Sequence, residues 1–305
     1  MTLSYFQAHD RAVTHQEDFI PDLLISLVED LPLPTPSTGR KPTYPLPALI
    51  VLLVLMVFWG MSYRRFIAHI AHDYLLLARL GIPRAPHYSV LNRAMDRLDP
   101  TLLQDLIRRL ADIMPPPRQI AFDATGISHT TGGEWFSMRL QKRRRRRFHG
   151  LHAAVDTDTL LITAAMVRRK PGGEASTLPS LLGQMSTDRL EAVYGDKAYI
   201  SRANVTLIDE LGARAVIEPK RGLSTLVKSH RAYAELVRGY YADPEEWKRR
   251  NRYGTRSLVE SVFSTLKRRF GGSVRSRSDS RRTIEILLKV VCYNADRLCY
   301  LACLY

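Results

Sequence analysis

From Pro47 to about Met114, apolar residues recur at three- and four-residue spacing, the period of helices packed on one face. Ala48 to Met61 is almost wholly apolar. A helix that is apolar all round belongs inside a core, and these 14 residues fall short of the roughly 20 needed to cross a bilayer. Ser62 starts a second helix as its N-cap, Gly81-Ile82-Pro83 breaks it, Tyr88-Ser89 starts a third and Pro100-Thr101 a fourth. The run Pro115-Pro116-Pro117 then stops helical structure outright. Beyond it the period changes to two. Arg118 to Asp123 alternates and ends on a carboxylate, and Ala124-Thr125-Gly126 turns the chain. Trp135 to Leu140, His149 to Asp156 and Leu160 to Val167 read as further strands, the last two joined by a turn at Asp156-Thr157-Asp158-Thr159. Thr177 to Met185 reads as a helix, and Leu190 to Asp196 as a buried strand that again ends on a carboxylate. Ser201 caps a helix that Gly212 terminates, and Arg214 to Ile217 is one more strand. Val259, Val262, Phe263, Leu266 and Phe270 form the apolar face of another helix. After Gly271-Gly272, a long helix runs from Thr283 to about Leu301.

Three segments follow from these shifts. Residues 1–46 are an acidic, short helical lead-in with a Pro-rich linker; residues 47–114 are all-α and compatible with a helix-turn-helix-like DNA-binding domain or a helical packing module. Residues 118–305 form an α/β domain with a basic, aromatic insertion at about 219–250. Antiparallel strands, then strand–helix–strand, then a helix is the element order of a ribonuclease-H-like mixed sheet with flanking helices.

Charge adds a partner to this picture. Forty-five Lys and Arg against 30 Asp and Glu give a net charge of +15 and a pI near 10.0, which suggests a polyanion, nucleic acid before membrane. The excess is local. Residues 1–40 carry a net −4, whereas residues 248–282 carry twelve bases against Glu260 and Asp279. A second run holds Arg139 and the unbroken stretch Lys142, Arg143, Arg144 to Arg147. Cys292, Cys299 and Cys303 share one face of the last helix and read as buried thiols, since a zinc site wants ligands from converging loops. No signal peptide marks the N-terminus, and the expected location is the cytoplasm.

The candidate chemistry lies where carboxylates end strands. In the expected sheet, Asp123 and Asp196 lie side by side, and Glu260 reaches them from a packing helix; 73 and 64 residues separate the three. Cleaving a phosphodiester needs an activated attacking oxygen and a stabilised leaving oxygen, which two Mg²⁺ ions held by a few carboxylates supply. If the helix reaches back to Tyr253, then at 100° per residue Tyr253, Arg256, Glu260 and Lys267 fall on one stripe, at roughly 0°, 300°, 340° and 320°; Gly254-Thr255 reads instead as the cap, with Tyr253 in the loop before it. The same stripe is also what a surface helix with an i, i+4 Arg256–Glu260 pair shows. Asp123 also suits a turn cap and Asp196 a helix cap. The setting of Asp156 and Asp158 favours a hairpin turn over a metal site. His149 and His152 face either the site or the core.

At these residues the chain resembles prokaryotic insertion-sequence transposases of the four/five type with an Asp-Asp-Glu site. Tyr253, Arg256, Glu260 and Lys267 match that group's Tyr-Arg-Glu-Lys signature without a gap. Phe122-Asp123-Ala124-Thr125-Gly126, Tyr194-Gly195-Asp196-Lys197-Ala198-Tyr199 and His149-Gly150-Leu151-His152-Ala153-Ala154-Val155-Asp156 resemble its other blocks. Ala198 departs from the pattern, since many relatives have glycine there. The resemblance implies that Asp123, Asp196 and Glu260 are catalytic and hold two Mg²⁺ or Mn²⁺ ions. It implies that Tyr253, Arg256 and Lys267 grip phosphates at the element's ends, with Lys142, Arg143, Arg144, Arg268 and Arg269 as further DNA contacts. The implied partners are double-stranded DNA, both element ends and target, and a second copy of the chain; the implied setting is the nucleoid of a prokaryote. Trp247 or an insertion tyrosine stacking on an unpaired base stands against a packed core aromatic. Two other functions share these features: a stand-alone nuclease, and a DNA-binding regulator without activity.

Overall fold

The computed structural model describes residues 5–33, 43–129, 148–169, 173–224 and 230–304. In chain order its helices are α1 (Tyr5–Glu29), α2 (Leu46–Phe58), α3 (Tyr63–Ile70), α4 (Tyr74–Arg79), α5 (Tyr88–Ala94) and α6 (Pro100–Ala111). Then come β1 (Gln119–Ser128), β2 (Phe148–Asp156), β3 (Ile162–Arg168), α7 (Glu174–Leu182), β4 (Ala192–Gly195), α8 (Arg202–Glu210) and β5 (Arg214–Ile217). The chain continues with α9 (Arg231–Ala242), α10 (Pro244–Arg250), a 3₁₀ turn (Tyr253–Ser257), α11 (Leu258–Phe270) and α12 (Asp279–Leu304). The strand expected at Trp135 to Leu140 and the basic run through Arg147 lie outside the described residues.

Contacts divide these elements into two units. One is helical: the described residues up to Leu110, Ser128 and His129, and the stretch from Arg268 onward. Its centre is α2, buried along ten of its residues from Leu46 to Met56, with α1 and α12 packed on it and on each other. The acidic lead-in is not short: α1 spans 25 residues, and Ala8, Ala12, Ile20, Leu24 and Val28 are its buried stripe. The three cysteines are free and buried, as their shared face predicts. Cys292 Sγ meets the Val54 carbonyl at 3.4 Å, and Cys299 Sγ the Ala12 carbonyl at 3.5 Å. One helix expected after Ser62 is two, because Asp73 accepts from the Leu76 N–H and caps a new start at α4. Ser62 is the N-cap of α3 but makes no side-chain capping bond. Buried Lys289 donates to the carbonyls of Gly271 (2.7 Å) and Ser273 (2.6 Å), fixing the loop that follows α11. Among the described residues no single helix is long and apolar enough to cross a membrane.

The second unit holds the sheet: Ala111–Ile127 and Phe148–Lys267. Five strands run in the order β3-β2-β1-β4-β5. β1, β4 and β5 are parallel, and β2 and β3 antiparallel. This is the mixed, ribonuclease-H-like sheet with flanking helices that the element order predicts. Ile120, Phe122, Val193 and Ile217 from the sheet pack with Leu178, Leu181, Val205 and Ile208 from α7 and α8. Truncating a fully buried member such as Phe122 to alanine costs about 3–5 kcal/mol. The insertion folds as α9 and α10, separated at Asp243, which accepts from the N–H groups of Glu245 and Glu246.

Among the boundaries that differ from the sequence pattern, two turn on a glycine. Gly126 does not turn the chain; β1 continues through it to Ser128. A Cβ on Gly126 would lie 3.2 Å from the Phe148 ring, so the glycine serves the close approach of β2. The second is α7, which starts at Glu174 rather than Thr177, directly after Gly173 in the left-handed conformation (φ 76°).

Candidate active site

Register brings the first two carboxylates together. Phe122 pairs with Gly195 at the last rung of the parallel β1–β4 ladder, so Asp123 and Asp196 are the next residues on neighbouring strands. Asp123 sits within β1 and Asp196 just past the end of β4. Each is oriented by backbone: the Ala124 N–H donates to Asp123 Oδ1 and the Ala198 N–H to Asp196 Oδ1, both at 2.8 Å. Ala198 takes glycine's place without strain, since it is not among the positive-φ residues.

The third carboxylate comes from the helix after the 3₁₀ turn. Tyr253 and Arg256 lie in that turn, while Glu260 lies in the first turn of α11. Arg256 is the joint. Its Nη2 donates to Glu260 Oε1 at 2.8 Å, and its Nη1 lies 3.8 Å from Asp123 Oδ2. The side chains of Arg256 and Asp123 are 23% and 21% exposed, against 54% for Glu260, so the two acids face very different amounts of water. Burial pushes the Asp123 carboxyl above its ordinary value. The Ala124 N–H and Arg256 oppose the rise, and the charges of Asp196 and Glu260 reinforce it. Burial acts against the Arg256 charge, but its bond to Glu260 and the charges of Tyr253 and Asp123 raise its pKa on balance.

Around this centre the structure adds what the pattern alone did not reveal. Tyr253 OH points to the Gly195 carbonyl at 3.5 Å, beside Asp196, and burial pushes its pKa up to about 12. Behind it runs a series of rings: Tyr253–Trp247 at 5.9 Å, Trp247–Tyr240 at 5.4 Å and Tyr240–Tyr241 at 5.7 Å between centroids. Trp247 is thus a packed aromatic, partly buried against the sheet core. A cavity of about 890 Å³ opens beside Asp196, lined by Lys197, Lys220, Arg221, Tyr240 and Lys248 among others. The alternation of Tyr and Trp with basic residues in 219–250 was the available signal for this wall; its position required the fold.

The remaining candidates are placed as follows. Lys267 lies two turns beyond Glu260 on α11, partly buried, with its pKa lowered by burial. Arg268 is exposed. Arg269 belongs to the helical unit, where it pairs with Asp296 and lies over the Phe58 and Phe270 rings at 5.7 and 5.6 Å. Lys142, Arg143 and Arg144 lie outside the described residues. Asp156 is a turn cap, accepting from the N–H groups of Asp158 and Thr159. His149 and His152 are buried in β2, and burial lowers the pKa of His152.

Residues 114–295, more than half the chain and spanning all three carboxylates, match the family model described as the transposase DDE domain. The chain belongs to the transposase DDE domain family. Two solved transposase structures are distantly similar. One is the piggyBac transposase synaptic complex with hairpin DNA: 11% identity, 96% of this chain and 80% of that one, TM-score 0.38. The other is a pre-cleavage Mos1 transpososome: 11% identity, 100% of this chain and 99% of that one, TM-score 0.25.

This transposase domain offers a divalent cation the right donors but not a ready cage. The three side chains supply only hard oxygen ligands, as Mg²⁺ or Mn²⁺ prefers, and the acids' mutual charge on Asp123 is what such a cation relieves. Yet among the described residues no group of three or more His, Cys, Asp or Glu side chains is close enough to hold a metal. Arg256 stands between two of the acids instead.

Proposed function

We propose that this chain is a DNA transposase that binds the terminal inverted repeats of its element, cuts the ends and joins the freed 3′-hydroxyls to target DNA. The observation that carries the reading is the rung at Phe122 and Gly195, which seats Asp123 beside Asp196, with Arg256 linking Asp123 to Glu260. Asp123, Asp196 and Glu260 are the proposed ligands of two Mg²⁺ or Mn²⁺ ions. When bound, such a pair activates the attacking oxygen and stabilises the leaving one.

The chain's own groups do the rest. The N–H groups of Ala124 and Ala198 hold two carboxylates in fixed rotation. Arg256 and Lys267 are the proposed phosphate contacts, a fork and a point charge respectively, with Tyr253 beside them and Arg268, Lys142, Arg143 and Arg144 further out. Arg269 is a weaker candidate because Asp296 already holds it. Residues 47–114 are the proposed reader of repeat sequence, and two copies are proposed to hold two ends, in the cytoplasm of a prokaryote.

A strand-transfer assay tests this, using duplexes that carry the repeats flanking the coding region. Joined product is expected with Mg²⁺ or Mn²⁺, and its loss in Asp123→Asn and Glu260→Gln with duplex binding kept. Metal-dependent cutting without joining would assign a nuclease instead, and binding with neither activity a regulator.

A further inference from the structure

Arg256 holds the oxygens that a metal would need. Its Nη2 donates to Glu260 Oε1, and its Nη1 faces Asp123 Oδ2. The other Asp123 oxygen is already committed to the Ala124 N–H, as one Asp196 oxygen is to Ala198. The guanidinium therefore bonds one Glu260 oxygen and faces, at 3.8 Å, the Asp123 oxygen that the Ala124 N–H leaves free. A divalent cation bound to those oxygens would lie within a few ångströms of the guanidinium, and two positive charges that close and partly desolvated repel each other. A DNA phosphate gives Arg256 an alternative partner of matching bidentate geometry.

We propose that Arg256 is a placeholder that closes the carboxylate site in the free protein and is drawn off by DNA phosphate, so that metal and DNA bind with positive coupling. This rests on the proposed metal-binding role of Asp123 and Glu260. It is consistent with the lack, among the described residues, of a group of three such side chains set to hold a metal. It also gives Arg256 two successive partners, carboxylate and then phosphate, rather than phosphate alone. Because linkage is reciprocal, metal tightens DNA binding by the same factor that DNA tightens metal binding, and a factor of about 5–150 is the usual range. The consequence is economy of reaction: free protein holds metal weakly, and the site assembles on DNA.

The test is Mn²⁺ binding to the full chain, followed by electron paramagnetic resonance, with and without a short duplex of arbitrary sequence. The wild type is expected to bind Mn²⁺ at least about fivefold more tightly when the duplex is present. Arg256→Gln is expected to bind Mn²⁺ more tightly than wild type without DNA, and to gain little from DNA. Arg256→Lys keeps the charge but not the fork, and is expected to move in the same direction. If Arg256→Gln binds Mn²⁺ no tighter than wild type and keeps the full DNA effect, the proposal is overturned. If Arg256→Lys behaves as wild type while Arg256→Gln does not, long-range charge is responsible and the proposal falls. If Glu260→Gln leaves Mn²⁺ binding unchanged in every protein, the metal-site reading fails, and the placeholder with it.

Discussion

Two arginines on or just before the same helix meet carboxylates in opposite ways. In the helical unit, Arg269 pairs with Asp296 and lies over two phenylalanine rings. There one acid has a bonded arginine in an apolar seat, with His9 and Arg297 adding to the positive field. In the sheet unit, Arg256 faces Asp123 and Glu260, with Asp196 adding its charge to the field on Asp123. Among the described residues, that is one arginine facing a cluster of three acids. Burial raises the pKa of both Asp296 and Asp123, and arginine opposes the rise in both. The difference is that acids reinforce the rise at Asp123, whereas the charges named at Asp296 all oppose it. An acid surrounded by cations serves structure, whereas a cluster whose acids repel one another is relieved by added positive charge.

The largest expected contrast is in activity. Glu260→Gln should reduce strand joining by more than the roughly 10–100-fold that an outer partner of a metal site is worth. Asp296→Asn should leave joining per folded molecule close to wild type, as a gel-based joining assay normalised to folded protein would show. Stability should reverse the ranking. Arg269→Ala strands a carboxylate that is only 18% exposed, and should cost about 2–3 kcal/mol in urea unfolding, below the full buried-pair figure because the arginine itself is partly wet. Arg256→Ala should cost less than about 1 kcal/mol, since Glu260 is half exposed and regains water, and Asp123 lies 3.8 Å away without a hydrogen bond to lose. Equal costs would erase the distinction between the two pairs.

The origin of that distinction was only half legible in the chain. Arg256 and Glu260 are four apart, so their pairing follows from helical spacing. The third member, Asp123, is 133 residues away, and only the β1–β4 register brings it in. Asp123 and Asp196 were visible because apolar alternation stops at them, although only Asp196 lies at the end of its strand. The continuation of β1 through Gly126 was not, because a glycine serving a close approach looks the same as one serving a turn. Tyr253 falls outside α11, in the turn before it, as the cap read at Gly254-Thr255 predicts, so the stripe counted at helical pitch holds only from Leu258 onward. The two helices of the insertion and their ring series depended on tertiary packing that local periodicity does not encode.

Proton linkage gives a finer test of the acid cluster. A carboxyl whose folded pKa is raised destabilises the metal-free fold above that pKa, and the penalty disappears below the unfolded value of about 3.9. Asp123→Asn should therefore raise the metal-free Tm at pH 7, with the gain shrinking to nothing as pH falls below that value. A gain that persists in acid would show that packing, not charge, is responsible. The smallest effect is expected at Lys267, which has no carboxylate partner among the described residues and is held partly buried. Lys267→Ala should lower the slope of log K against log salt for duplex binding by about one. An unchanged slope would remove Lys267 from the phosphate contacts.

The central claim is that three acids from two strands and a helix converge on one divalent-cation site. Iron-mediated cleavage of the protein backbone tests it most directly. With Fe²⁺ in place of Mg²⁺ on the DNA-bound chain, ascorbate and peroxide should cut near Asp123, Asp196 and Glu260 together, and excess Mg²⁺ should suppress all three cuts in parallel. Cuts confined to one of these segments, or insensitive to Mg²⁺, would contradict it.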